Sequence, residues 1–559
     1  MAEPTIQLGG GNWAGKSGNL LGYYEQNKKF YAEDFTFSRS TTGTYTDSDG
    51  YIQEMPYNLL SYSEDLTNTW SRTDATVTSG QSGYDGTNNA WLFDVSVDGG
   101  NLRKNISVVG VNNFSVYAKK GTANGVRIRF DQNTDTNVYI DLTDGSIFTS
   151  ANTLSVNVDS IGNGWYKINF SFEAVGLILF RIYTTDGTAT RISGTIFLQS
   201  PQLVKGSSTK TYFPTTTRLN MPRVDYLNNS NGSLILEPQR SNLITYSEDF
   251  TNAAWVLFNG GTGVLPIVTS NYAISPDGTQ NATRIQFSIN GGTTTIDRSF
   301  IRYTSFASQT DYYYSCYVKS TSGQEQKLLW QHGGDSDEFT VTNEWQRVEL
   351  NRNGNAETLA GFSLRGGIST VESADVLIWG FQVEQGSYPT SYIPTSGSSV
   401  TRNQDTCSIT DVADRINSSE GVFYAEIAAL ANDGTNRMIS LSDGTSDNRV
   451  LIKYDNISNR AEFFVIVSGV SQYSFITVFD NLLAYNKIAL KYKVNDFALW
   501  FNGNKLDSNT SGNTFTADTL NNLSFDSGGG GSDFYGKVKQ IQVYNTALTD
   551  SELATLTTL

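Results

Sequence analysis

One phrase occurs twice in this chain, and it constrains the architecture more than any other feature. The segment NLLSYSEDLTNTW at residues 58–70 returns as NLITYSEDFTNAAW at residues 242–255. Other segments recur in the same order: DGTNNA (85–90) and DGTQNA (277–282), SVYAK (115–119) and SCYVK (315–319), YFPT (212–215) and YIPT (392–395). Internal repetition of this kind indicates two copies of one structural unit. The sequence therefore predicts two related domains of roughly 150 residues each, the usual size of a single domain.

The two copies divide the chain into five segments. We predict an N-terminal arm over residues 1–57, the first repeat over 58–217, a linker over 218–241, the second repeat over 242–399 and a different third domain over 400–559. The arm begins with a glycine-rich stretch and has little apolar material for a core of its own. We therefore expect the arm to dock on a partner protein.

Short runs of alternating apolar and polar residues fill both repeats and the third domain. Examples are residues 126–130, 166–172, 179–183 and 487–492, and turn residues separate such runs along the chain. This pattern is typical of β-sandwiches, and the aromatic content of 12% supplies large side chains that fit pleated surfaces. The sequence predicts an all-β fold of three tandem jelly-roll or β-sandwich domains preceded by an extended N-terminal arm. Two local signals stand out in the third domain: Asn502-Gly503 predicts a hairpin turn, and Thr549 with Glu552 predicts the N-cap of a one-turn helix.

Charge and cysteine content exclude several classes of protein. The net charge of -16 argues against nucleic-acid binding, which needs clustered Lys and Arg, and against an anionic membrane surface. No apolar run approaches the roughly 18 residues of a membrane span, so we expect no membrane insertion. The N-terminus lacks the basic and apolar regions of a signal peptide, so we expect synthesis in a cytoplasm. Cys316 and Cys407 give neither a disulfide framework nor a metal-ligand spacing, and no cofactor is predicted.

Candidate catalytic residues are few. His332 is the only histidine, which excludes a His-based zinc site and argues against a Ser-His or Cys-His nucleophile. Each repeat carries a pair of adjacent carboxylates, Glu64-Asp65 and Glu248-Asp249, but adjacent residues on an extended strand point to opposite faces. We interpret these pairs as turn-ordering residues rather than as the acid and base of a glycosidase. No catalytic residue is assigned, and we predict that the protein is not an enzyme.

The candidate ligand-binding residues are aromatic and acidic side chains. Stacking on sugars needs exposed aromatic rings, and the candidates are Trp91, Trp255, Trp330 and Trp500. Core positions are the favoured interpretation for all four, because buried aromatic side chains dominate sandwich cores. The candidates for calcium are Asp433, Asp443, Asp526 and Asp533. Solvated turns are the favoured interpretation for these, so the glycan-binding and metal-binding residues stay unknown.

Several segments carry a resemblance to known families. The third domain resembles concanavalin A-like (laminin G-type) jelly rolls at residues 497–503 and in the ending GKVKQIQVYNTALTD (536–550). The segments PRVDY (222–226), LILEPQRSNL (234–243) and SYIPTSGSSVTR (391–402) look like the connecting segments of tailed-phage fibres and other virion proteins. The two repeats look like the carbohydrate-binding-module-type jelly rolls found between such segments. The resemblance implies a virion protein, made in the host bacterial cytoplasm and assembled as a homo-oligomer, with a trimer favoured.

Together these observations favour a head or tail fibre that docks on other virion proteins through its arm and binds host-surface glycans through β-sandwich modules. Three alternatives stay open. The first is a tailspike-type glycan depolymerase, which degradation of a glycan by the purified chain would reveal. The second is a purely structural capsid or neck component, which the position of the chain on a particle would reveal. The third is a secreted bacterial adhesin, which the missing signal opposes.

Overall fold

A computed structural model describes residues 2–16, 19–26, 29–55, 58–207, 209, 212, 214–215, 221–304, 306, 311–332, 337–352 and 358–559. Strands dominate these residues, and the predicted all-β fold is confirmed. The chain divides into two compact units, one of residues 56–219 and one of residues 1–55 with 220–559. Within the described ranges, no helix has the length and apolar character that a membrane span requires.

The strands fall into five groups along the chain. Before residue 56 lie β1 (Ile6–Gly9), β2 (Gly15–Lys16), β3 (Asn19–Gln26), β4 (Lys29–Ser38), β5 (Thr44–Thr46) and β6 (Ile52–Glu54). The first repeat contains β7 (Ser71–Thr73), β8 (Ala75–Gln81), β9 (Ala90–Val95), β10 (Asn101–Lys120), β11 (Gly125–Asp131), β12 (Thr136–Asp141), β13 (Ile147–Ala151), β14 (Ser155–Gly162), β15 (Trp165–Thr185) and β16 (Gly194–Lys205). Between the repeats lie β17 (Arg223–Asp225), β18 (Ser233–Leu236) and β19 (Arg240–Asn242). The second repeat contains β20 (Trp255–Gly260), β21 (Val264–Ala273), β22 (Ala282–Ser288), β23 (Arg298–Tyr303), β24 (Tyr312–Ser320), β25 (Gln326–Gln331), β26 (Glu338–Val341), β27 (Gln346–Asn351), β28 (Ala360–Arg365) and β29 (Ser373–Gln385). The third domain contains β30 (Val400–Arg402), β31 (Thr406–Ile409), β32 (Glu420–Ala429), β33 (Arg437–Ser442), β34 (Arg449–Tyr454), β35 (Arg460–Val467), β36 (Val470–Val478), β37 (Asn486–Lys493), β38 (Phe497–Phe501), β39 (Asn504–Asn509), β40 (Asn522–Ser524), β41 (Gly536–Tyr544) and the helix α1 (Asp550–Thr557).

The unit of residues 56–219 is a two-layered sandwich in which two long strands belong to both layers. β10 and β15 pair over most of their length, and each has a glycine with positive φ near its middle, Gly110 at 72° and Gly176 at 120°. Glycine adopts this backbone conformation without strain, so the strands can pass from one layer to the other. One layer has the order β7-β10-β15-β11-β12-β13, and the other has the order β14-β15-β10-β16-β9-β8. Apolar side chains from both layers, such as Phe114 and Ile128, share one core.

The second repeat has the same strand connections, with each long strand divided in two. One sheet has the order β20-β23-β28-β25-β26, and the other has the order β27-β24-β29-β22-β21. β23 and β24 together take the place of β10, and β27 and β28 together take the place of β15. The repeated sequence thus folds twice into one topology.

The third domain is a sandwich of two larger sheets, which the N-terminal strands β1, β3 and β4 connect to each other. The strands β39-β38-β37-β32-β41 form one sheet, and β36-β35-β34-β33-β40-β31 form the core of the other. The predicted hairpin is present between β38 and β39, where Asn502 and Gly503 both have positive φ. The predicted cap on Thr549 is also confirmed, since its side chain and that of Glu552 form a capping box. The helix that follows is eight residues long rather than one turn.

The N-terminal segment differs from the extended arm predicted over residues 1–57. β1 pairs with one part of the free edge of β41, while β18, from the linker predicted over 218–241, pairs with the rest of that edge. β4 pairs with β31 and extends the opposite sheet. The reason lies in the alternation of apolar residues: Ile6, Leu8, Phe35 and Phe37 are at most 1% exposed and belong to the core of the third domain. The arm has no core of its own because it shares this one.

Candidate functional site

The repeated phrase closes each sandwich. In the second repeat, the Oδ1 of Asn242 accepts from the backbone N–H of Ile244 and Val383, and its amide donates to the carbonyls of Phe381 and Ile393. Asn58 makes the equivalent bonds in the first repeat: it accepts from the N–H of Leu60 and Leu203 and donates to the carbonyl of Pro201. Both asparagines are fully buried. The phrase is therefore a structural clasp between the start and the last strand of each repeat.

A second part of the clasp joins the phrase to the Tyr-x-Pro-Thr motif that ends each repeat. The Oγ of Ser247 lies 2.6 Å from the hydroxyl of Tyr392 and accepts from the N–H of Thr395. In the first repeat, Ser63 makes the same contacts with Tyr212 and Thr215. The two motifs recur together in the sequence because they bind each other.

In each acidic pair the aspartate orders a turn, as predicted, whereas Glu248 accepts from the hydroxyl of Tyr392 at 2.9 Å. Asp65 accepts from the N–H of Thr67 at 2.9 Å, and Asp249 accepts from the N–H of Thr251 at 3.1 Å. These turn bonds lower the pKa of Asp65, with the Thr67 hydroxyl as the largest cause.

The other candidates from the sequence are structural too. Trp91, Trp255, Trp330 and Trp500 are between 2% and 8% exposed, which confirms their assignment to the core. His332 follows β25 and is fully buried, with its Nε2 3.2 Å from Asp337. The side-chain oxygens of the candidate calcium ligands accept bonds from nearby groups, as in Asp433 to Arg437, Asp443 to Thr445, Asp526 to Gly528 and Asp533 to Tyr535. Among the described residues, no three His, Cys, Asp or Glu side chains gather as a metal-binding group.

The connecting segments converge on a buried network of charges. Arg223 donates to Glu237 at 2.7 Å and to Asp405 at 2.5 Å, Arg402 lies 2.8 Å from Glu237, and Arg39 lies 3.0 Å from Asp405. All five side chains are at most 1% exposed. Burial alone would raise the pKa of Glu237, but Arg402 and Arg223 outweigh it and hold this pKa well below its ordinary value. This network joins the end of β4, both sides of the β17–β18 hairpin and the start of the third domain.

An open cleft of about 440 Å³ lies beside β21 in the second repeat. Val264, Leu265 and Ile267 line it, together with Gln286 and Asp375. Phe287 also lines the cleft but is only 2% exposed, so its ring offers no open platform for a sugar.

A different kind of surface covers the outer side of the first layer in the first repeat. Val126, Ile128 and Phe130 of β11 point into the core, so Arg127 and Arg129 point outward. We call the outward residues on β10, β15, β11 and β12 the arginine face. Its members are Arg103, Arg127, Arg129, Asp131, Asn137, Tyr139, Arg181 and Tyr183.

Two rows of residues cross the arginine face from strand to strand. In the first row, Arg103 lies opposite Arg181, Arg181 opposite Arg129, and Arg129 opposite Asn137. In the second row, Arg127 lies between Tyr183 and Tyr139. Residues directly opposite on antiparallel strands have Cβ atoms about 4.5–5.5 Å apart, so each row is a continuous surface.

The tyrosine row is held by stacking and hydrogen bonds. The guanidinium of Arg127 lies 5.0 Å from the ring centre of Tyr139 and 5.2 Å from that of Tyr183, within the range of cation–π attraction. Arg127 also donates to the Oδ1 of Asn137 at 2.7 Å. Burial lowers the pKa of Arg127. Tyr183 lies buried beneath Arg127, while Tyr139 is half-buried at the surface.

The arginine row is only partly neutralised. Arg181 lies 3.0 Å from Asp131 and donates to the hydroxyl of Tyr183, the largest cause of its raised pKa. Arg129 pairs with Asp131 and, at 2.6 Å, with Asp135. The arginine side chains keep about a quarter of their surface in solvent, 27% for Arg129 and 28% for Arg181. This arrangement suits a ligand with planar polar groups and a flat ring.

The sequence alone does not reveal the arginine face. It predicts the strands at 126–130 and 179–183 and their inward and outward alternation, which places these arginines outside the core. What brings them together is the register of β10, β15 and β11, and strands far apart in sequence do not reveal their register. The sequence pattern that could have identified this face is the outward Arg-x-Arg of residues 127–129 on one predicted strand, together with the Arg-x-Tyr of residues 181–183 on another.

Comparisons with known proteins give only distant matches. Neither a protein-family model nor a curated protein matches the sequence. Among solved structures, the chain is similar to the CBM40 domain of the Ruminococcus gnavus IT-sialidase, with 18% identity over 26% of this chain and 85% of that domain and a TM-score of 0.23. It is also similar to the CBM22-1-CBM22-2 tandem domain of Paenibacillus barcinonensis Xyn10C, with 12% identity over 59% of this chain and 98% of that one and a TM-score of 0.20. A Trypanosoma rangeli sialidase matches 93% of this chain and 98% of its own, with 12% identity and a TM-score of 0.22.

The sialidases among these structures contradict the sequence prediction that the protein is not an enzyme. We therefore withdraw the prediction that the protein is not an enzyme. TM-scores near 0.2 mean that little of the structure is shared, so these matches assign neither a reaction nor a residue role to this chain.

Proposed function

We propose that this chain is a fibre or appendage protein of a tailed phage and that it binds host-surface glycans through the first repeat. The observation that carries the binding proposal is the tyrosine row of the arginine face. There, Tyr139, Arg127 and Asn137 stand side by side on neighbouring strands. An aromatic ring with a polar edge offers a sugar both an apolar surface and hydrogen bonds, and the amide and guanidinium add planar donors.

The phage assignment rests on the connecting segments and on their role in the fold. The segments 222–226, 234–243 and 391–402 supply Arg223, Glu237 and Arg402 to the buried charge network. Ser391, near the end of the second repeat, hydrogen-bonds to Arg223, Glu237 and Arg402, so the network also joins the second repeat to the third domain. Such a connection suits an appendage built from several domains. A homotrimer is the oligomer that we propose, in keeping with other fibres of this kind.

The binding proposal is tested with the full-length chain on a panel of bacterial surface polysaccharides. We expect wild-type binding to at least one polysaccharide and a loss of about tenfold or more in Tyr139→Ala, because the variant removes the half-buried ring that the tyrosine row presents at the surface. Tyr272→Ala is the matched control, since Tyr272 is exposed on β21 and stacks with Arg284 at 4.8 Å in the same way. Equal losses in both variants, or no binding by wild type, would refute the proposal.

The same samples decide between binding and degradation. Release of reducing ends from a bound polysaccharide would identify a depolymerase, whereas intact polysaccharide after long incubation would indicate a binding module. The virion assignment is tested by imaging phage particles labelled with an antibody against this chain. We expect labelled projections at the head or tail surface, and a sealed internal position would contradict host binding.

A further inference from the structure

We infer that the arginine face takes a glycan that carries carboxylate groups, with Arg103 as the residue that receives the carboxylate. This inference rests on the proposed glycan binding and adds the chemical class of the ligand. It derives from the arginine row rather than from the tyrosine row beside it.

The arginine row is unfavourable for stability by itself. Like charges directly opposite each other on neighbouring strands are destabilising, and here three arginines occupy one row across β10, β15 and β11. Asp131 and Asp135 offset this repulsion at Arg181 and Arg129. The side chain of Arg103 makes no hydrogen bond or ion pair with any other residue that the structure describes, so its charge is left without an acidic partner.

The fold does not require arginines at these positions. In the second repeat, the strands equivalent to β10, β15 and β11 are β23, β28 and β25. Trp70 and Trp255 end the repeated phrase and lie beside Lys104 and Tyr303, which aligns Arg103 with Arg302. The row that corresponds to the arginine row is therefore Arg302, Gly361 and Gln331. One topology thus carries a single arginine in this row in one copy and three in the other. The arginines of the first repeat are therefore explained by a ligand better than by folding.

The chemistry of the row selects an anion. Arginine presents its N–H donors in a planar fork that matches the two oxygens of a carboxylate, and such charge-assisted pairs are among the strongest hydrogen bonds. At Arg181 the existing bonds to Asp131 and Tyr183 fix the side chain in place, while Arg103 next to it retains its full set of donors. Tyr139 and Asn137 lie on β12, three strands or about 14 Å from β10, where a further sugar unit of the same polymer would reach.

The negative net charge of the whole chain supports a specific binding site for an acidic ligand. At -16, the protein as a whole repels acidic polysaccharides at low ionic strength. Binding of such a polymer therefore requires a specific cationic surface rather than general attraction. We also expect the affinity for the acidic ligand to fall as salt is added, because the arginine contacts are partly open to solvent.

The experiment uses the full-length chain with polygalacturonate, alginate and hyaluronan, each beside its methyl-esterified form, which keeps the sugar but removes the charge. We expect wild type to bind at least one acid form at least tenfold more tightly than its ester. Arg103→Gln should abolish this preference, and Arg103→Lys, which keeps the charge but not the fork, should restore only part of it. Arg302→Gln is the matched control, because Arg302 is half-buried on the equivalent strand β23 and lies over an aromatic ring, that of Phe300.

Each result has a distinct meaning. Binding of acid and ester forms with equal affinity, or of neutral polysaccharides alone, would overturn the carboxylate inference while leaving the proposed glycan binding intact. Absence of binding to any glycan would refute the proposed function itself. An acid preference that Arg103→Gln leaves unchanged would also overturn the inference. Unchanged thermal unfolding of the variants shows that the arginine face, and not the fold, has been altered.

Discussion

The buried charge network makes a quantitative prediction for the replacement of Asp405 by Asn. Asp405 accepts from Arg39 at 3.0 Å, from Arg223 at 2.5 Å and from the backbone N–H of Glu237 at 2.9 Å. The variant removes the negative charge but keeps the shape. Arg39 then loses its acidic partner in the network, and Glu237 alone balances the remaining arginines.

The magnitude follows from the burial of the network. Removing one partner of a buried ion pair costs about 3–5 kcal/mol, because the remaining charge stays out of water without compensation. With unfolding entropy of about 2.1 cal/mol/K per residue, this corresponds to a decrease of about 4–6 °C in the melting temperature of the unit formed by residues 1–55 and 220–559. Burial lowers the pKa of Arg39 to about 10 while Asp405 opposes this shift, so the arginine is charged at neutral pH in the wild-type protein.

Calorimetry of the full-length chain measures this effect, and the chain supplies two controls. The unit of residues 56–219 holds no part of the network, so its own transition should not move. Glu420→Gln breaks the partly exposed pair with Lys493, whose side chains are 28% and 48% exposed, and should cost less than about 1 kcal/mol. If Asp405→Asn shifts the larger unit by no more than Glu420→Gln does, the network does not stabilise the fold as argued.

Three further predictions concern the clasp, the network and the N-terminal strand. Asn242→Ala should destabilise the unit of residues 1–55 and 220–559 by about 2–4 kcal/mol in urea unfolding, because buried backbone groups lose their partners. Asn58→Ala should do the same in the unit of residues 56–219 only. Equal effects of either variant on both units would contradict this. The lowered pKa of Glu237 stabilises the fold above its ordinary value of 4.5, so stability should fall as the pH drops below that value toward the folded-state pKa. Glu237→Gln should reduce the slope of the unfolding free energy against pH by up to about 1.4 kcal/mol per pH unit. An unchanged slope would mean that other residues cause the loss of stability in acid. Deleting residues 2–9 removes the buried side chains of Ile6 and Leu8 and should cost about 3–6 kcal/mol, whereas an unchanged melting temperature would mean that β1 acts as a free arm.

The fold class and the repetition could be read from the sequence because both are local signals. Alternation of apolar residues identifies strands, and the returning phrase identifies two copies of one domain. The role of the phrase could not be read, because Asn58 and Asn242 act on strands that lie more than a hundred residues further along the chain.

The N-terminal segment shows where sequence reasoning fails. It has too few apolar residues for a core of its own, and the sequence therefore predicts an arm. Ile6 and Phe37 instead complete the core of a domain whose other strands begin near residue 400. No local sequence pattern predicts strand pairing over such a distance along the chain. The arginine face was missed for a similar reason, since only the register of three strands places Arg103, Arg181 and Arg129 in one row.

The central claim is that two copies of one fold differ in function, and that the first repeat binds a glycan on its arginine face whereas the second does not. A crystal structure of the full-length chain soaked with an oligogalacturonate that it binds tests this claim most directly. We predict sugar density on the first repeat, with a carboxylate within hydrogen-bonding distance of Arg103 and a ring beside Tyr139. Density on the second repeat or the third domain, with the arginine face empty, would contradict it.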